Sequence, residues 1–188
     1  MPMIRDVMAE AKLDFTDLDL LSTTVGPGSF TGLRLGLAAA RGLVLASGRP
    51  LLALTSFRAR HAALPEARDH SAFVAVLIDS RRQSLFAQLF DPQGHEVGTA
   101  VSLDPGDLAR WLPPGPVRLV GDGLGLILEI APETMSAERI ETHSSAHINA
   151  ADFIVAVARG EAGDGILPVP LYLRPPDVTL AASKTART

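Results

Sequence analysis

Gly26-Pro27-Gly28-Ser29-Phe30-Thr31-Gly32-Leu33-Arg34-Leu35-Gly36 is the stretch whose reading decides the fold. Residues 20–25 before it end in Thr23, Thr24 and Val25, and such β-branched residues predict a strand. Residues 32–47 after it predict a helix, with Ser29 or Thr31 as its N-cap and Gly48-Arg49-Pro50 as its stop. Residues 51–55 are apolar and predict a buried strand. Strand, helix and strand in that order make a right-handed unit with parallel strands. Glycine permits positive φ and close backbone approach, and a helix N-terminus offers free N–H groups and the positive end of a dipole. Two readings of the loop stay open. It is a tight turn, with Gly32 and Gly36 letting the helix sit close to a neighbour. Alternatively Gly26, Gly28, Ser29, Thr31 and Gly32 contact a phosphate. No Lys-Ser/Thr pair follows at P-loop spacing.

Working outward, residues 2–11 predict a helix with Met3, Ile4, Val7 and Met8 on one face. Residues 14–19 are a polar connector. Ser56 is expected to cap a short helix reaching residue 64. A second block opens near Ser71, with strands over 73–78, 84–90 and 96–101 separated by turns at 79–83 and 91–94. A short helix over 107–112, a strand over 117–120, and helices over 124–130 and 146–159 complete it. The proline-rich tail 168–176 is expected to lie extended.

The 188 residues carry 17 Lys+Arg and 21 Asp+Glu, a formal charge of −4, with no basic run. That disfavours direct tight binding to nucleic acid. Apolar residues make up 47% of the chain and aromatic ones only 5%, so the core must be aliphatic, as in packed α/β layers. There are no cysteines, which excludes disulfides and thiolate sites. No stretch reads as a signal peptide or a membrane span, and a cytoplasmic setting is expected.

Candidate chemistry is sparse. His143 and His147 have i, i+4 spacing, which on one helix suits zinc, but no third ligand is evident and no metal is expected. Asp79 ends a strand and is expected to cap the following turn at Ser80, and Asp122 between Gly121 and Gly123 is expected to shape another. Ser29 lacks the nucleophile-elbow pattern and a nearby histidine. Leu33, Leu37, Ala40 and Val44 form one stripe of the second helix, half of it core. Arg34 and Arg41, seven apart, share a face and form a polar rim.

As a string, residues 26–43 resemble the signature segment of the TsaB (YeaZ) family. Leu52 to Ser56, Val76 to Arg81 with Leu85-Phe86-Ala87, and Tyr172-Leu173-Arg174-Pro175-Pro176-Asp177 resemble further family segments, so the likeness spans the chain. The resemblance implies an α/β, two-lobed actin-like fold built from ribonuclease-H-like halves, here 1–70 and 71–188, and belonging to a superfamily labelled glycoprotease-like. It implies a scaffold without catalytic residues or cofactor. Such a scaffold binds and activates the paralogue TsaD, which transfers threonylcarbamoyl to the adenosine beside the tRNA anticodon. A small ATPase, TsaE, and a homodimer are implied as further partners, with tRNA engaged only through the complex. Family contacts with TsaD use the first two helices, which marks Met3, Ile4, Val7, Met8, Arg34, Leu37 and Arg41 as the partner face.

The resemblance also implies strands and an Asp-Thr-Ser element ahead of the first helix. None precedes Met1, so the first lobe is expected to be incomplete and the isolated chain unstable or oligomeric. The sister subunit's H-x-x-x-H pair maps onto residues 57–61, where His61 stands alone. The rival expectations are a metallopeptidase or ATPase-like enzyme of the superfamily, and a homodimeric binding module with another partner.

Overall fold

The computed structural model describes residues 2–64, 71–133 and 140–143, and residues 150, 154, 157, 158, 160, 166 and 168–174. Helix α1 spans Pro2–Ala11 and buries no residue. Lys12, at φ 55°, ends it in the left-handed region, and the Leu13 N–H returns to the Met8 carbonyl at 3.1 Å. A single 3₁₀ turn at Phe15–Asp17 interrupts the expected connector.

Strand β1 (Leu21–Thr24), helix α2 (Phe30–Ser47) and strand β2 (Leu51–Leu54) form the expected parallel unit, with Leu21 opposite Leu51 and Thr24 opposite Leu54. Helix α2 starts two residues earlier than its sequence suggests, because Ser29 is the cap. Its Oγ accepts the Gly32 N–H at 3.3 Å. Gly48, at φ 68°, closes the helix by donating to the Val44 carbonyl. Helix α3 (Ser56–Ala62) is capped by Thr55, whose Oγ1 accepts the Arg58 N–H at 3.0 Å. Ser56, the expected cap, is instead its first residue, and its N–H donates to the Gly26 carbonyl at 2.7 Å.

The second sheet contains β3 (Phe73–Asp79), β4 (Leu85–Phe90), β5 (Glu96–Leu103), β6 (Val117–Val120) and β7 (Ile140–His143). Its order is β5-β4-β3-β6-β7, an antiparallel meander continued by two parallel strands. Strand β3 lies at its centre and is covered on both faces, hence its continuous apolar run. Ala75 and Leu77 pack with helices α4 (Leu108–Trp111) and α5 (Leu124–Ile130) on one face. Val74, Val76 and Ile78 meet Phe57 and Phe90 on the other. Phe57 belongs to α3, so α3 and the five-stranded sheet share one apolar cluster.

Strand β7 has no counterpart in the sequence reading. Its four residues include Glu141, Thr142 and His143, and only pairing with β6 makes them a strand. His143 therefore ends a strand, and the helical i, i+4 spacing proposed for a metal pair does not apply to it. His147 and most of the expected helix 146–159 lie outside the described residues, as does the junction at 65–70. Among the described residues, β1 pairs with β2 alone.

Candidate functional site

The loop between β1 and α2 faces a cavity of about 990 Å³ that reaches across to the β3–β4 turn and the β6–α5 turn. Gly26 sits at φ 107°, and a Cβ there would stand 2.8 Å from Leu33 Cδ1 and 3.1 Å from the Leu171 carbonyl oxygen. The first loop glycine thus answers to backbone strain and close packing. Gly36 does not match its expected role, since a Cβ there would meet nothing within 4 Å. Gly32 would touch only its own cap, Ser29, at 3.4 Å. Gly28, Ser29, Thr31 and Gly32 are exposed.

Two carboxylates face this loop. Asp79 Oδ1 accepts the Arg81 N–H at 2.7 Å, so the expected turn cap acts one residue beyond Ser80. Ser80 and Ser84 close the same turn through a backbone bond of 3.0 Å and paired hydroxyls at 2.7 Å. Asp122 Oδ1 accepts the Asp79 N–H at 3.3 Å, and its Oδ2 lies 3.3 Å from Arg60 Nη2. Arg81 reaches both carboxylates, at 3.4 and 3.9 Å. Burial lowers the Arg60 guanidinium below its ordinary value, against the pull of Asp122. Each carboxylate therefore has a guanidinium and a backbone amide as partners, an arrangement that fixes turns and joins α3 to the second sheet. His61 is buried with its ring stacked on Phe90 at 4.3 Å. Among the described residues no group of three His, Cys, Asp or Glu could hold a metal.

The expected partner face needs one correction. Leu37 is only 3% exposed and packs with Val25 and Ala53 beneath the helix, so it belongs to the core. The outward stripe of α2 is Leu35, Ala38, Gly42 and Leu45, with Leu35 71% and Leu45 87% exposed. Its spacing of three, four and three is that of a helix-packing seam, a signal present in the sequence but missed beside the equally apolar core stripe. On α1, Met3 is 78% and Val7 59% exposed, while Ile4 and Met8 are half-buried.

Arg34 and Arg41 share a face as expected, but both reach the chain's own tail. Arg34 Nε donates to the Tyr172 hydroxyl at 3.0 Å and its guanidinium lies 3.8 Å over the Phe30 ring. Arg41 donates to the Pro168 carbonyl. The Leu171 N–H donates to the Val25 carbonyl at 2.8 Å, and Arg174 donates to Ser84 Oγ. No helix among the described residues is long and apolar enough to cross a membrane.

Residues 1–135 match the family model described as TsaD, tRNA N6-adenosine threonylcarbamoyltransferase. The chain belongs to this family. Within it, the solved structures that this chain resembles are of the YeaZ kind. The structure of YeaZ from Pseudomonas aeruginosa superposes with a TM-score of 0.72 at 25% identity, covering 92% of this chain and 81% of that one. A second Pseudomonas aeruginosa structure, an uncharacterized protein with similarity to peptidase YeaZ, gives 0.72 at 26%, covering 92% and 82%. The TsaB protein of Haemophilus influenzae is 29% identical over 111 residues, which cover 59% of this chain and 44% of that protein. The transferase of Erythrobacter litoralis is 34% identical over 94 residues, covering 50% of this chain but 24% of the transferase. The matches thus span less than half the length of these curated relatives.

Proposed function

We propose that this chain is a non-catalytic subunit that docks a TsaD-type transferase and supports formation of threonylcarbamoyladenosine in tRNA. The observation that carries this reading is the outward stripe of α2. Leu35 and Leu45 stand in solvent at helix-packing spacing, and Met3 and Val7 add exposed apolar surface on α1. Large exposed apolar residues in such a pattern mark a surface that another helix covers. The likeness to TsaB proteins, named for threonylcarbamoyladenosine biosynthesis in tRNA, supports a TsaD-type transferase as that partner.

The cavity favours the same reading over an enzyme. Asp79 and Asp122 are engaged by Arg60 and Arg81, and the Ser29 hydroxyl serves the helix cap. An acid, base or nucleophile needs a group available to a substrate. With a charge of −4, the chain engages tRNA through its partner rather than directly. A TsaE-type ATPase and a second copy of this chain are further partners in this proposal, and the work of the complex sets it in the cytoplasm.

The test is reconstitution. The chain is mixed with a TsaD-type transferase on a sizing column, and tRNA modification is assayed with the chain present and omitted. Co-elution and modification that depends on the chain support the proposal. Modification at full rate without the chain, or turnover by the chain alone, contradicts it.

A further inference from the structure

Residues 168–174 run along one flank of α2 in the opposite direction, since Arg41 holds Pro168 and Arg34 holds Tyr172. Leu171 fills the apolar cluster of Val25, Leu37 and Ala53 between those two attachments. Tyr172, the chain's single tyrosine, lies with its ring centroid 5.5 Å from that of Phe30. Beyond it, Arg174 ties the strap to Ser84 in the β3–β4 turn. At about 100° per residue, Arg34, Ala38, Arg41 and Leu45 fall within a sector of about 60°. The two arginines therefore border the strap on one side and the outward apolar stripe on the other.

We propose that Arg34 and Arg41 are clamps contested between this strap and the partner seated on α2, and that the partner surface is an apolar helical face edged by carboxylates. In the free chain each guanidinium faces a neutral oxygen, a phenol or a peptide carbonyl. Against a carboxylate both members of the pair are ionised and a bidentate geometry opens, which makes the stronger bond. Docking an acidic-edged helix then draws the arginines outward and loosens residues 168–174, and the loss reaches the β3–β4 turn through Arg174. The partner half of this inference rests on the docking reading above, whereas the clamp half stands on the free chain.

The experiment is amide hydrogen exchange by NMR on the full chain, read at Leu171 and, as an internal reference, at Val76 in the buried strand β3. In the free chain, Arg34→Ala with Arg41→Ala is expected to speed exchange at Leu171 by about tenfold while Val76 is unchanged. Unchanged exchange at Leu171 would overturn the clamp. With the TsaD-type transferase bound, Leu171 of the unsubstituted chain is expected to exchange as fast as in the double variant. Unchanged or slower exchange in a formed complex would overturn the contest while leaving the docking reading intact. Failure to form any complex would overturn the docking reading and the contest together, and the free-chain comparison would still decide the clamp.

Discussion

Arg60 Nη2 lies 3.3 Å from Asp122 Oδ2, and this pair joins α3 to the turn after β6. Arg60 is buried, and the same carboxylate accepts the Asp79 N–H. Asp122→Ala removes a charge partner and a backbone acceptor together. It is expected to lower stability by about 2–3 kcal/mol in urea unfolding. Asp122→Asn keeps an acceptor for the amide and is expected to lose less. Because the pair is shielded, raising the salt concentration should leave the difference between the unsubstituted chain and Asp122→Ala largely unchanged.

Glycine substitutions separate positions held by packing from positions that are merely helical. A Cβ on Gly121, at φ 122°, would stand 2.1 Å from the Leu77 carbonyl oxygen in the central strand. Gly121→Ala is expected to cost more than about 3 kcal/mol or to abolish folding. Gly36→Ala meets open space inside α2 and is expected to raise stability by about 1 kcal/mol. Thermal melting of the two variants reads both effects.

The two leucine stripes of α2 predict opposite behaviour. Leu37→Ala empties a core site and is expected to cost about 2–4 kcal/mol. Leu45→Ala, on the outward face, is expected to leave stability within about 0.5 kcal/mol. Equal losses in chemical denaturation would contradict the assignment of faces.

Asp91 gives a pH dependence. Desolvation pushes its carboxyl up, but the His95 backbone N–H, the His95 ring and the Gln93 N–H outweigh it and hold the group below its ordinary 3.8. The His95 N–H and ring bonds are 2.8 and 3.2 Å and the Gln93 N–H bond is 3.0 Å. The folded value lies below the unfolded one, so the contribution is present above the unfolded value and is lost as pH falls through the folded value. Asp91→Asn is therefore expected to flatten the acid limb of stability below about pH 4. An acid limb as steep in Asp91→Asn as in the unsubstituted chain would contradict it.

Much of the fold was legible because local and tertiary preferences agree. The run from Phe73 to Ile78 reads as an apolar strand, and it is the central strand β3, covered on both faces. The glycine loop announces a strand–helix turn, and Ser29 caps it. Where physics is non-local, sequence reading failed. Strand β7 exists through its pairing with β6, not through its own composition. Either apolar stripe of α2 could have been core, and only the positions of β1 and β2 make Leu33 and Leu37 the buried pair. The tail's seat on Arg34 joins residues 138 apart in sequence, and nothing local to either end encodes it.

The central claim is that the outward stripe of α2 seats the transferase, and the most direct measurement is the affinity of Leu45→Asp for a TsaD-type partner by titration calorimetry. Leu45 is 87% exposed, so the substitution leaves the fold of the free chain intact. A carboxylate buried in a helix seam is expected to weaken binding by at least about 100-fold. Full affinity in Leu45→Asp, with the free variant as stable as the unsubstituted chain, would contradict the account.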